Sequence, residues 1–189
     1  MKHTLKFLII ALTIGSANAQ MNNKKFAQDT IIWSKDLLLV KDNFKAKHPL
    51  GRKVFAQTYA SIFIHSELKG ASLLFYVETI FSKSKSYMKE DSPYILKHEQ
   101  LHFDIHEVYS RKLRQLLLEK DFKKVKNVVE VIQKMGKKVA EDCGEEQVKY
   151  DNDTEHGLNA AKQQVWQEKV KKELEVLEKY SSTEIDIVN

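Results

Sequence analysis

His98-Glu99-Gln100-Leu101-His102 decides how this 189-residue chain is read. Residues four apart share one face of an α-helix, so His98 and His102 can offer ring nitrogens to a single metal ion. Glu99 lies about 100° further round the helix, beside such an ion, where its carboxylate can polarise a bound water. With seven His among 189 residues, chance produces H-E-x-x-H somewhere in roughly 0.02 of such chains. The helical context is sound. Ser92 suits an N-cap and Pro93 the first helical position, where the missing N–H costs nothing. No Gly or Pro follows before Lys120, and Ile95, Ile105, Tyr109, Leu113 and Leu116 fall on the same side as the two histidines. Two imidazoles on an inward face are costly unless something pairs them, and a zinc ion does so.

The first nineteen residues read as a secretory leader. Lys2 and Lys6 form the positive region, Phe7 to Ile14 the apolar one, and Ala17-Asn18-Ala19 a small-x-small cleavage site before Gln20. The apolar run is too short for a membrane span. Residues 20–189 are then one domain, with a periplasmic or extracellular destination and no stable membrane insertion. Without Lys2 and Lys6 the net charge falls from +5 to +3, and the lysines are interspersed with acids, which argues against nucleic acid as a partner. Cys143 is the single cysteine, so an internal disulfide is excluded.

The chain changes character once. Residues 30–82 favour strands: Thr30–Trp33 and Leu37–Val40 are short apolar runs, and Arg52 to Leu68 alternates. Phe55, Gln57, Tyr59, Ser61, Phe63 and His65 share one face of that strand, Val54, Ala56, Thr58, Ala60, Ile62 and Ile64 the other. Lys69-Gly70 turns the chain into a second strand, 71–82. After the motif helix, a second helix is expected from Asp121-Phe122, a loop over 144–157, and a last helix from Asn159. Strands followed by helices give an α+β fold.

A zinc needs a third protein ligand. His106 lies about 12 Å along the helix from His98, too far to share an ion with it. His65 sits on a strand among aromatics. His156, in Tyr150-Asp151-Asn152-Asp153-Thr154-Glu155-His156-Gly157, is the preferred choice, because Gly157 allows a tight approach. If His156 serves otherwise, Asp151 or Asp153 is the oxygen ligand. Asp104, Tyr150 and His106 are expected as supporting groups, Asp104 alternatively as a surface ion pair with Arg111 or Lys112.

The runs HEQLHFDIHEVYSRKLRQLL (98–117) and YDNDTEHGLNAAKQQVW (150–166) resemble a family of secreted bacterial proteins of unknown function regarded as zinc-dependent proteases. Its pattern is H-E-Q-x-H-F-D-I followed by Y-D-x-x-T-x-H-G, and the likeness extends over nearly the whole chain after the leader. It implies roles for His98, Glu99, His102, Asp104, Tyr150, Asp151, Thr154, His156 and Gly157. Leu101 departs from it, standing where the family has Gly. The expectation is a zincin-like, exported zinc peptidase: His98, His102 and His156 hold Zn²⁺, Glu99 is the general base, and a protein or peptide is the substrate. The competing readings are a non-catalytic zinc module and a cell-envelope interaction domain.

Overall fold

A computed structural model describes residues 9–10, 26–48, 55–69 and 72–186. Most of the expected leader, Arg52–Val54 and the turn residues Gly70 and Ala71 therefore lie outside the described residues. The fold is α+β. Strands β1 (Ile9–Ile10), β2 (Thr30–Ile32), β3 (Ala56–Gln57), β4 (Ala60–Lys69), β5 (Ser72–Ser82) and β6 (Tyr87–Met88) precede three helices, α1 (Pro93–Glu119), α2 (Val128–Thr154) and α3 (Ala160–Val176), and a final strand β7 (Glu184–Ile185).

The β4–β5 hairpin is the spine of the sheet, in antiparallel register from Ala60↔Phe81 to Lys69↔Ser72. β2 and β7 pair antiparallel with β5, and β1 lies parallel to β4 at Phe63 and Ile64. β3 and β6 form a separate two-stranded ribbon. The single strand expected from Arg52 to Leu68 is broken at Thr58–Tyr59, so that its first part pairs with β6 and only the rest with β5, and Ser61 is buried although expected on the face of Phe63; otherwise the alternation holds. Ala56, Ala60, Ile62 and Ile64 are buried, while Phe55 is exposed and Phe63 and His65 half-buried. Leu37–Val40, expected as a strand, is irregular: Leu39 N–H donates to the Gln100 side chain on α1 at 2.8 Å, so a helix rather than a neighbouring strand satisfies that backbone.

α1 begins as its sequence dictates, with Ser92 Oγ accepting from Ile95 N–H and Pro93 at the first position. It then runs through the middle of the molecule and packs in three directions. Leu113 and Leu117 meet Ile62, Ile64, Phe75 and Val77 of the sheet. Phe103 meets Phe81, Met88 and Phe44. Leu101, Ile105 and Val108 meet Cys143 and Tyr150 of α2 and Trp166 and Val170 of α3. Leu101 is thus a core residue facing the other helices. Leu116, expected inward, is exposed, since α1 reaches solvent near its C-terminal end.

Seven of the thirteen buried residues of α1 are polar or charged, so the helix must be held by hydrogen bonds as well as apolar contact. Toward its C-terminal half, Glu107 Oε1 accepts from Arg111 Nε (3.0 Å) and Arg114 Nη1 (2.8 Å), and Oε2 from Thr79 Oγ1 (2.7 Å). Arg111 and Arg114 also donate to the carbonyls of Leu174, Val77 and Tyr180, which fastens the end of the chain onto α1 and β5.

α2 starts later and ends later than its sequence suggests. Asp121–Lys126 is a turn segment; Asn127 caps the helix by accepting from Glu130 N–H at 3.1 Å. The expected loop over 144–157 is helix as far as Thr154. Its buried stripe of Ile132, Gly136, Val139, Cys143, Gln147, Tyr150 and Thr154 keeps helical spacing straight through Gly144. The stripe turns polar after Cys143, and that polarity resembles a loop when read without its partners. A Cβ at Gly136 would lie 2.6 Å from Ile64 Cδ1, so glycine lets α2 approach β4 closely. No helix among the described residues is long and apolar enough to cross a membrane.

Candidate metal centre

Three helices converge where α1 carries its H-E-x-x-H. His98 Nε2, His102 Nε2 and Asp151 Oδ1 form a triangle with sides of 3.2, 3.3 and 3.0 Å. Zn–N and Zn–O bonds near 2.0 Å in a tetrahedron place ligand atoms about 3.3 Å apart. The three donors therefore occupy one face of such a polyhedron, and the triad could hold a metal ion.

The two imidazoles are turned to it by amides on their far sides. His98 Nδ1–H donates to Gln163 Oε1 on α3 at 3.1 Å, and His102 Nδ1–H to Gln147 Oε1 on α2 at 2.5 Å. An N–H at Nδ1 leaves the Nε2 lone pair free toward the triangle, the tautomer a ligand requires. Gln147 Nε2 then donates to the His102 carbonyl at 2.9 Å, which also accepts from His106 Nδ1–H at 2.8 Å. His106 is buried and faces away from the triangle; burial, then the neighbouring His102 charge, pushes its imidazole down to about 4, so it stays neutral. Tyr150 is wholly buried beneath the pair, stacked on His98 (4.7 Å) and edge-on to His102 (4.8 Å). Its hydroxyl donates to Gln163 Oε1 at 2.7 Å, which commits it to holding the amide that holds His98.

Burial opposes charge on His102, but Asp151 outweighs it, with help from Glu99 and Gln147, and the imidazole is pushed up to about 9. Burial likewise works against the Asp151 carboxylate, yet His102 and His98 hold it well below the usual carboxylate range. Opposed shifts of this kind arise at functional sites and in structural ion-pair networks alike.

Glu99 is 3% exposed, and its Oε2 has no hydrogen-bond partner. Its backbone carbonyl accepts from Thr58 Oγ1 at 3.1 Å, which ties the motif to the segment between β3 and β4. A buried carboxylate oxygen left unpaired beside a metal-ligand triangle fits a site completed by a cation and a polar reactant.

His156 stays outside the triangle: its side chain is 59% exposed and its Nδ1 lies 3.6 Å from Asp151 Oδ1. The reason is the backbone. Because α2 continues to Thr154, Asp151 still projects from the helix face toward α1, while His156 sits beyond the helix end in a left-handed turn. Glu155, His156 and Gly157 all have positive φ (53°, 55° and 86°). Thr154 Oγ1 closes this turn, donating to the Tyr150 carbonyl and accepting from Gly157 N–H. Gly157 is required twice over. Its φ is left-handed, and a Cβ there would lie 3.0 Å from His98 Cγ.

Asp104 does not touch the centre and makes neither expected ion pair. Its Oδ1 accepts from Trp33 Nε1 (2.8 Å) and Gln100 Nε2 (2.9 Å). Together with the Gln100–Leu39 bond, this clamps residues 33–39 to α1. His65 lies across the sheet, paired with Glu78 and stacked on Tyr76. Cys143 is buried, its thiol pushed up to about 12, chiefly by burial. Gln147 and Gln163 are the participants that sequence reading missed. The available signal was their helical spacing: Gln147 falls four residues before Asp151, and Gln163 three before Trp166.

Residues 83–157 match the model of a family described as a bacterial protein of unknown function (DUF922). That match spans the H-E-x-x-H and ends on Gly157. No curated protein and no solved structure matches the chain.

Proposed function

We propose that this chain is a zinc-dependent peptidase with a zincin-like arrangement, in which His98, His102 and Asp151 hold the metal. The observation that carries the reading is the triangle of donors at 3.0–3.3 Å beside an unpaired buried Glu99 oxygen. Two imidazoles and one carboxylate with a fourth position open is the donor set of catalytic zinc sites; structural sites close all four. A zinc ion bound there would supply Lewis acidity toward a carbonyl and lower the pKa of water.

The protein's own part is positioning and proton transfer. Gln147 and Gln163 orient the imidazoles. Glu99 takes the proton of the attacking water and hands it to the departing amine. Burial keeps the Glu99 carboxylate clear of competing donors. His156, exposed on a left-handed turn, would contact the substrate in this reading. The leader-like first nineteen residues support export, and a peptide or protein outside the cytoplasm is the proposed substrate.

The test is the zinc content of the purified chain together with peptide-library cleavage by wild type and Glu99→Gln. The variant should keep about one zinc and lose cleavage by about 10² or more, because an amide cannot accept the proton. Cleavage that persists in Glu99→Gln removes Glu99 as the base. A chain that takes up no zinc removes the whole reading.

A further inference from the structure

We propose that the cleft between the first turns of α1 and α3 is a carboxylate-binding subsite, adjoining the metal centre and joined to it through Gln163. This deepens the peptidase reading by naming the substrate class, a peptide that presents a carboxylate. The cleft has a volume of about 410 Å³, and Tyr94 and Lys97 of α1 line it together with Ala160, Gln163, Gln164 and Glu168 of α3.

Three features point to an anionic acceptor. The first is Gln163, only 3% exposed, with its Nε2 lacking any partner. Its Oε1 lies 3.1 Å from His98 Nδ1 and accepts from the Tyr150 hydroxyl at 2.7 Å, which turns the NH₂ the other way. An amide nitrogen buried without a partner is costly, and Gln163 is itself part of the cleft lining. The second is Lys97, which makes no ion pair among the described residues. The third is the helix ends: Ala160 is the first residue of α3, and Tyr94 lies in the first turn of α1, so two positive helix termini face the same space. The lining also carries one carboxylate, Glu168, which accepts from Gln164 Nε2 at 3.1 Å and keeps its charge.

The carboxylate has two sources, the free C-terminus of a peptide or an acidic side chain within it. The test uses the zinc-loaded full chain carrying Glu99→Gln, so that binding is read without turnover. One probe pair is N-acetyl-tetraalanine with a free carboxyl terminus and the same peptide as its amide. The other is a pair of peptides blocked at both ends that differ only as Glu or Gln at one internal position. Binding is followed by NMR on the Gln163 side-chain NH₂ and by calorimetry. The carboxylate member of at least one pair should bind about tenfold more tightly, as charge-assisted hydrogen bonds require, with the Gln163 NH₂ resonances shifted. The pair that discriminates identifies the source. Lys97→Gln, an exposed change that spares the fold, should remove most of that preference. No discrimination in either pair overturns the proposal. So does a preference that survives Lys97→Gln with the Gln163 resonances unmoved, which would mean the carboxylate is binding at the metal alone. Because the readout is binding, absence of peptide cleavage by wild type would leave this result standing and count only against the peptidase reading.

Discussion

The motif helix carries two buried clusters of charge, and they follow opposite rules. Around Glu107, Arg111 and Arg114, both carboxylate oxygens are bonded, and each guanidinium also reaches main-chain carbonyls. Two turns earlier, around His98, Glu99 and His102, three donors crowd within 3.0–3.3 Å of one another while Glu99 Oε2 and Gln163 Nε2 remain unpaired. The first cluster is complete within the chain. In the second, a carboxylate oxygen and an amide nitrogen have no partner among the described residues. Satisfaction of hydrogen bonds, rather than burial or charge, is where the two clusters differ.

The largest expected effect tests the satisfied cluster. Glu107→Ala leaves two guanidinium groups buried without their common partner and should lower stability by about 3–5 kcal/mol. Glu99→Gln should leave stability unchanged or raise it, since it removes a buried carboxylate with an unpaired oxygen. Urea unfolding of the metal-free proteins checks both, and equal losses would erase the distinction between the clusters.

Next in size is the choice of third ligand. Asp151→Ala should weaken zinc binding by about 10²-fold or more, because two ligands remain where three stood. His156→Ala should weaken it by less than about tenfold, since its ring lies outside the triangle. Competition with a chromophoric chelator measures both, and the reverse order would restore His156 as the ligand.

The pH dependence follows from the same triangle. In the metal-free chain the imidazole of His102 is raised from 6.5 to about 9. Its stabilising contribution is full below pH 6.5 and fades as pH climbs toward 9. Asp151, lowered from 3.8, contributes above that pH, and its share fades on acidification. Zinc must displace the His102 proton, so its apparent affinity should rise about tenfold per pH unit between neutrality and about 9. A flat profile over that range would mean that the proton and the metal do not compete for one place.

The smallest effect sharpens the boundary between site and scaffold. Gly157→Ala forces a Cβ against the His98 ring in a left-handed turn and should cost about 1 kcal/mol of stability. It should also weaken zinc binding, whereas Gly136→Ala, a comparable squeeze against Ile64, should lower stability alone.

Much of this was legible beforehand, and unevenly. The Ser92-Pro93 start of α1, the β4–β5 hairpin with its two faces and the Asn159 start of α3 all rest on interactions within a few residues, so local patterns expose them. The same holds for the pairing of His98 with His102, which needs only one helical turn. The end of α2 was misread because Gln147, Tyr150, Asp151 and Thr154 are polar, and polar residues in sequence suggest a loop unless their buried partners are known. Asp104 and Gln100 were unreadable for a related reason: their partners, Trp33 and Leu39, lie 71 and 61 residues away.

By itself the sequence determined that a helix presents two imidazoles and a carboxylate at metal-binding spacing, because helix geometry depends only on neighbours along the chain. Tertiary structure alone decided which side chain closes the triangle. His156 and Asp151 are five residues apart in the same segment, and either was chemically suited. The choice fell to Asp151 because the buried stripe of α2 packs against α1 as far as Thr154, which keeps Asp151 on the helix and carries His156 past its end.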